Sequence, residues 1–583
     1  MTMKNLRKYG LMLLSGMMLT STLVVGTSCS DDDDASSSTS AIWDVSGNDI
    51  ITIKPERYKL LRLYEYDENG NKIPIEYNTE LGGGGPVLDN EGNPVYKTKL
   101  LNPMLGWVVY GGLGDGLIDD LEEQYSDFET AEGQDNVFMY GGTMYVRGAW
   151  SDFELEENHY VWDDDDWTAN NLDKYKQIKR FRMMRDIAQK YGMKLAFTFV
   201  VASEDKHYNF TPDYVKEAGC ETYEVTTGSF KGWSPYPDDP VFQEKYEKFL
   251  TAFAEKFNDP DVTQFVSGFG LGKWGETHTL KYTTGDESPR EATTEWISSL
   301  MARLFTRVPI VINYHRCIMS TTDKAGADLS MAEKLIDMCV NKGFSLRHDA
   351  FGMKDYYQNW ERGIATKYRY IRPIIMEGGW VEAQHSGSIG GDGYANFAEV
   401  RQGEYDEAKG ANVNMMDFRY SNNVHSGETH SWFNTAFPLV KEFISEGGYR
   451  LFPDRVSVPR TANAGGKVTL AHRWINLGWG YCPTNLPQWD QKYKVCFALL
   501  DKETGEPLYR FVDPAPEISD WVKGTPHSYR TSFSLTDVAP GDYTWGVGLV
   551  DTTKNNEIGI IISATDECQT RDGWVKICDV TVH

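Results

Sequence analysis

The sequence predicts an α/β protein: a (β/α)8 (TIM) barrel over residues 101–447 followed by a β-sandwich over 448–583. Three observations point there. From residue 101, apolar runs of strand length alternate with amphipathic helical stretches, and Gly, Pro or capping residues mark the boundaries. Eight such runs follow one another, which suits a closed barrel better than an open sheet. From Gly448 the pattern changes to short alternating segments separated by turns, as in an all-β domain.

The first two strands are read at 106–110 and 137–146, the second running into Arg147-Gly148-Ala149-Trp150. A helix over 173–191 follows. Tyr175, Ile178, Phe181, Met184, Ile187 and Tyr191 recur at helical spacing, and Gly192 stands where the helix should end. The third strand, 194–201, is almost continuously apolar, as a strand buried on both faces should be. Asp239-Pro240 supply an N-cap and a first helical residue, and Phe242, Tyr246, Phe249, Phe253 and Phe257 form one face of that helix. The fourth strand is read at 265–270, and a helix over 294–305 leads to the fifth at 309–313. Ser330 and Glu333 have capping-box spacing and open a helix that closes at Gly343, before strand six at 344–347. Strand seven at 372–376, a helix over 397–409, strand eight at 413–417 and a last helix over 432–445 complete the barrel. The sandwich strands are read at 467–474, 493–500, 528–535, 543–550 and 557–563.

Residues 41–100 read as an N-terminal extension of short strands covering one face of the barrel, with hairpin turns at 66–71 and 89–93. Residues 1–28 read as a signal segment. Lys4, Arg7 and Lys8 precede an apolar run at 11–25, too short to span a membrane, and small residues lead into Cys29. Residues 29–40 read as an acidic, Ser-rich tether with nothing to bury.

A formal charge of −27 argues against nucleic acid or an anionic membrane surface as partner. It also disfavours sulfated or uronate-rich glycans, unless a local basic patch reverses the field. Aromatic content of 13%, with 17 Trp, suits sugar stacking and a large core equally. The cysteines show no metal-ligand spacing, so neither a metal nor an organic cofactor is expected. Cys568 and Cys578 bracket a short turn and read either as a disulfide or as two thiols.

Chemistry in a (β/α)8 barrel gathers at the C-terminal strand ends. The polar and aromatic residues there are Glu276 and His278 beside Trp274, Asp349, Glu377 beside Trp380, and Asp417 with Arg419; strand two adds Arg147 and Trp150. Two carboxylates next to tryptophans are what glycoside hydrolysis needs: one protonated to donate to the leaving oxygen, the other to attack or stabilise the sugar carbon. Trp274 and Trp380 would wall a sugar subsite and desolvate a carboxyl group. Each residue also has a plainer reading. Glu276 would pair with Lys273 or Arg147, Glu377 would bind backbone N–H groups, Asp349 would cap a helix, and the tryptophans would be core. Arg147 is expected to orient a carboxylate, Glu377 foremost, and His278 to hydrogen-bond rather than bind metal.

Glu276 after strand four and Glu377 after strand seven, 101 positions apart, resemble the layout of clan A retaining glycoside hydrolases. That resemblance implies Glu276 as general acid/base and Glu377 as nucleophile, with the carboxyls roughly 5 Å apart. Arg147 and Trp150 with the stretch 154–162 are similar to the segment after strand two in β-galactosidase-like members of that clan. The ordered landmarks Asn102-Pro103, Gly106-Trp107, Trp274-Gly275-Glu276-x-His278, Gly448-Tyr449-Arg450 and Asn476-Leu477-Gly478-Trp479-Gly480 resemble the barrel-plus-sandwich proteins of domain-of-unknown-function 4832.

Cys29 followed by Ser30 and four aspartates resembles the surface lipoproteins of Bacteroidetes. That implies a lipid anchor in the outer membrane facing the exterior, membrane contact through the lipid alone, carbohydrate as the ligand, and other surface glycan-uptake proteins as partners. One departure stands out. Clan A enzymes carry Asn before the acid/base Glu, where this chain has Gly275. It leaves open an inverting scheme using Asp349 or a non-catalytic glycan-binding lipoprotein of a polysaccharide-uptake system; a structural or adhesive surface protein is a third reading, which predicts no cleft with convergent carboxylates.

Overall fold

The structure is a computed structural model that describes residues 41–583 except 54, 56–63, 67–71, 75–86, 89–93, 96–99, 115–120, 164–166, 324–327, 355, 379–393, 419–427 and 565–567. Cys29, Trp380 and Arg419 lie outside the described residues.

Eight parallel strands close a barrel in chain order: β1 (Gly106–Gly112), β2 (Gly141–Ala149), β3 (Lys194–Val200), β4 (Thr263–Ser267), β5 (Ile310–Asn313), β6 (Ser345–His348), β7 (Ile374–Met376) and β8 (Met415–Asp417), with β8 pairing back to β1. Each barrel strand read from the apolar runs is present, but the second begins at Gly141, since Val137–Met139 form a 3-10 turn, and the fourth ends at Ser267. The Asp239-Pro240 start holds as well, since the Asp239 carboxylate accepts from Phe242 N at 2.8 Å.

Some helix boundaries differ. The stretch 173–191 is two helices, Ala169–Lys174 and Lys176–Lys190, interrupted at Tyr175. The helix Leu329–Asn341 is capped by Asp328, which accepts from Ser330 N and Met331 N, so Ser330 lies inside the first turn and is not the cap. The last helix breaks into Glu428–Thr435 and Phe437–Glu446, because Pro438 has no N–H and must sit in a first turn.

Alternation along the strands sorts residues into two cores. Met144, Val146, Phe197, Phe199, Val266, Ile312, Leu346 and Met376 pack outward with the surrounding helices. Val108, Tyr110, Tyr145, Ala196, Phe265, Val311, Ile375 and Met415 face the lumen. Two positions further along, the lumen-facing residues turn polar: Arg147, Thr198, Ser267, Asn313, Arg347, Glu377 and Asp417. That polar layer is the floor of the site.

The C-terminal region is a two-sheet sandwich. One sheet runs Asn48–Thr52, Leu451–Pro459, Lys467–Asn476, His527–Ser534; the other runs Thr461–Ala462, Val575–Val582, Gly541–Asp551, Tyr493–Leu500, Pro507–Asp513, with Glu557–Ile560 beside it. Strands Leu451–Pro459, Pro507–Asp513 and Val575–Val582 were not legible in the sequence. The segment Asn48–Thr52 pairs antiparallel with Leu451–Pro459, so this part of the N-terminal extension joins the sandwich and does not lie across a barrel face. The turns read at 66–71 and 89–93 fall on residues 67–71 and 89–93 outside the described ones, while the strands beside them pair antiparallel, Tyr64–Tyr66 with Lys72–Pro74 and Val87–Leu88 with Pro94–Val95. Cys568 and Cys578 form no disulfide. The Gln569↔Val575 bridge sets Cys568 across from Lys576, out of register with Cys578.

The sandwich packs against the end of the barrel where the strands begin. Asn102, just before β1, bonds Ile561 twice through its side chain, and Tyr449 donates to Pro103 O at 2.6 Å. Asn414, before β8, donates to Met104 O and Tyr481 O. Asn412 and Tyr370 both reach Trp479 O. The lumen residues and the sandwich interior form one continuous apolar core. The landmarks around 102, 448–450 and 476–480 therefore build a structural joint, remote from the strand C-termini. Gly478 is required there, because a Cβ would stand 2.2 Å from Gly448 O.

Candidate active site

Arg347 is the centre of the polar layer. Its guanidinium donates from Nε to Glu377 Oε2 and from Nη2 to both Tyr110 Oη and Asp417 Oδ2, each at 2.9 Å. Tyr110 in turn donates to Glu377 Oε1 at 2.5 Å, and Gly378 N donates to Asp417 Oδ1 at 2.8 Å. Arg347, Glu377 and Asp417 are all buried, and the guanidinium lies over the Tyr145 ring at 4.5 Å. Burial opposes the charge on Arg347, but Glu377 foremost, with Tyr110, Tyr145 and Asp417, outweighs it and raises the guanidinium well above its ordinary value. Burial likewise raises Tyr110, which stays protonated as a donor. Glu377 is thereby oriented by two donors, and one of them is a permanent cation.

Glu276 is held differently. It follows a tight loop after β4 in which Trp274, Thr277 and Thr279 all adopt positive φ (58°, 62° and 54°), a conformation costly for any residue with a Cβ and most of all for threonine. Gly275 has φ +77°, and a Cβ there would meet Phe199 O at 2.7 Å. The backbone thus requires glycine where the clan A pattern has Asn.

The loop is pinned by backbone bonds Lys273 N to His278 O and Thr277 N to Leu271 O, both 2.9 Å, and by Arg147 Nη2 to Trp274 O at 2.6 Å. His315 donates from Nε2 to Glu276 O at 2.8 Å while its Nδ1 accepts from Cys317 N. Burial, with the nearby His278 adding to it, holds His315 well below its ordinary value, so the ring is neutral with its proton on Nε2. Strain concentrated at one carboxylate and offset by surrounding bonds is what a functional loop looks like.

The Glu276 carboxyl itself accepts no hydrogen bond among the described residues. Arg147 Nη1 and His278 Nε2 each lie 3.7 Å from its oxygens. Glu276 is 6% exposed. Arg147 thus serves Glu276 and the Trp274 carbonyl. The expectation that it orients Glu377 is corrected, because Arg347, one strand away from Glu377, occupies that place first. Trp274 stands at the rim, edge-on to His278, and donates from Nε1 to Asp205.

The other expected residues take different places. Trp150 is fully buried outside the barrel wall, bonded to Glu154 and packed on Tyr246 and Phe249, so it is core. Asp417 is enclosed beneath Arg347 as a counter-charge. Asp349 lies beside His348, its carboxyl 3.6 Å from Nδ1, and does not cap the next helix, whose cap is Gln358.

Sequence reasoning missed Arg347, Tyr110, Tyr145 and His315. Arg347 had a signal: an arginine inside a buried parallel strand must have partners. Tyr110 and His315 had none.

No family model matches the sequence, and no curated protein matches it. Among solved structures, similar chains include the catalytic domain of β-amylase from Paenibacillus polymyxa (10% identity, 59% of this chain and 98% of that one, TM-score 0.35). Endo-glycoceramidase II from Rhodococcus sp. matches at 10% identity over 77% of this chain and 99% of its own, with a TM-score of 0.33. D-psicose 3-epimerase from Clostridium cellulolyticum H10 matches at 9% identity over 58% and 96%, with a TM-score of 0.30. Likenesses this distant carry no weight for function, which rests on the site.

Proposed function

We propose that this chain is a cell-surface glycoside hydrolase, carried on a lipid at Cys29, in which Glu276 moves the proton and Glu377 is the nucleophile. The observation that carries the reading is the unequal hold on the two glutamates. Glu377 is clamped by Arg347 and Tyr110 in the ionised form a nucleophile needs. Among the described residues, none donates a hydrogen bond to the Glu276 carboxyl group, which leaves it able to exchange a proton with a ligand.

In the first step Glu276 gives its proton to the leaving-group oxygen. The glycosidic bond breaks as Glu377 bonds the anomeric carbon. In the second, Glu276 takes a proton from water, whose oxygen displaces Glu377 and regenerates both groups.

The test is turnover of a panel of aryl glycosides by wild type, Glu276→Gln and Glu377→Gln. Dinitrophenyl glycosides need no proton for departure, so Glu276→Gln should form the glycosyl-enzyme from them while losing activity on natural linkages. Binding without turnover by wild type would instead make the chain a glycan-capture lipoprotein, a reading favoured by Gly275, which leaves no side chain where clan A enzymes place the amide.

A further inference from the structure

We propose that a second cavity, on the flank of the barrel outside the mouth, is a glycan-binding site that takes a pyranose unit of the polymer on which the mouth acts. The inference rests on the reading of the mouth as a glycan site and deepens it, because it makes the substrate a chain and not a lone sugar.

The cavity has a volume of about 460 Å³ and opens between the helices Asn359–Tyr368 and Phe397–Gly410, which follow β6 and β7. That volume falls in the range of ligand pockets. Gly352, in its lining, stands four positions after His348, the last residue of β6. No more than roughly 14 Å of chain therefore separates the cavity from the strand that carries Arg347.

The walls are fixed before any ligand arrives. Gly403 leaves room for the Tyr394 ring, which a Cβ there would strike, and the Tyr394 hydroxyl donates to Gly352 O at 3.3 Å. Arg362 donates from Nε to both Glu407 oxygens, at 2.9 and 3.1 Å, and from Nη2 to Oε2 at 2.8 Å. The Trp360 indole is anchored at its edge, Nε1 donating to Glu333 Oε1 at 3.3 Å, and among the described residues no aromatic ring stacks on it. Two polar groups remain open to a ligand. Asn359 is exposed and its amide makes no hydrogen bond among the described residues, and the same holds for Nη1 of Arg362, whose side chain is 46% exposed.

This mixture selects a sugar. A pyranose carries C–H groups on its faces, which an indole or phenol ring covers. Around its edge it carries hydroxyls, which accept from an amide or a guanidinium and donate to an amide oxygen or a carboxylate. An acyl tail or an apolar side chain would cover Asn359 and Arg362 without bonding either, and polar groups covered in that way oppose binding.

Affinity electrophoresis of the full chain in gels containing laminarin, galactan, xylan, mannan or polygalacturonate tests this. At least one polymer should retard wild type. Trp360→Ala should bind that polymer about fivefold or more weakly. Asn359→Ala, altered at an exposed side chain that bonds nothing, should weaken it in the same direction with an unchanged melting temperature. Turnover of aryl glycosides, too small to span both sites, should be the same in all three proteins. Retardation by no polymer, or equal retardation of wild type and both variants, overturns the inference. So does a loss confined to Trp360→Ala with a lowered melting temperature, or a parallel loss of aryl-glycoside turnover. Reducing-end release separates the two readings: binding that depends on Trp360 and Asn359 without cleavage by wild type sinks the hydrolase and leaves this site standing, whereas cleavage unaffected by either variant does the reverse.

Discussion

Arg347 Nε and Glu377 Oε2 lie 2.9 Å apart with both side chains almost wholly enclosed, so each charge is compensated inside the barrel, Glu377 by Arg347 and Arg347 by Glu377 together with Asp417. Removing one partner of a buried pair leaves an uncompensated charge. Arg347→Ala should destabilise the protein by about 3–5 kcal/mol and abolish turnover. Arg347→Lys keeps the charge but loses the fork to Glu377, Tyr110 and Asp417, so melting should fall less while kcat still collapses. Thermal melting and kinetics on the same preparations check this.

The two glutamates should separate in a stability assay. Glu276→Gln removes a carboxyl that accepts no hydrogen bond among the described residues, and its melting temperature should stay within about 2 °C of wild type. Glu377→Gln takes the negative charge from Arg347 and should cost about 2 kcal/mol or more. Equal losses in the two variants would contradict the unequal hold on which the catalytic roles rest.

His315 and His472 should make folding sensitive to mild acid. Burial lowers both, and the unfolded chain titrates near the ordinary value of 6.5, so the unfolded state binds more protons as pH drops through that value. Stability is therefore full above about pH 7 and declines below 6.5, each histidine contributing up to about 1.4 kcal/mol per pH unit. Melting curves from pH 8 to 5 should show the decline, and His472→Gln should make it shallower.

Gly275→Asn restores the residue found before the acid/base in clan A enzymes, yet it should harm this one. The added Cβ meets Phe199 O at 2.7 Å, and φ +77° is unfavourable for a side chain. A loss of about 1–3 kcal/mol and lower activity are expected. A gain in kcat would mean that the loop adopts another conformation during turnover.

The joint beneath the barrel predicts cooperative unfolding. Asn476 accepts from Arg450 N and Gly478 N and donates to Gly480 O and Trp521 O, all within buried surroundings. Asn476→Ala orphans those groups and should cost about 2–4 kcal/mol. Because one apolar core runs from the lumen into the sandwich, calorimetry should show barrel and sandwich melting together.

The sequence by itself determined the order of the barrel strands, the change to a sandwich near Gly448, and the positions of Glu276 and Glu377 at strand ends. Those features come from local periodicity and punctuation, which each stretch of chain carries alone. Only the tertiary structure decided that Arg347 and not Arg147 holds Glu377, that Trp150 is core, and that the 476–480 motif is a joint. Each of those depends on which strands become neighbours around a closed barrel and which side of a strand faces the lumen. Arg147 and Arg347 are both lumen-facing arginines, and nothing near either in the chain says which carboxylate it will meet. Closing the barrel brings Tyr110, Arg347, Glu377 and Asp417 from β1, β6, β7 and β8 into one layer, and burial then forces those four groups to satisfy one another.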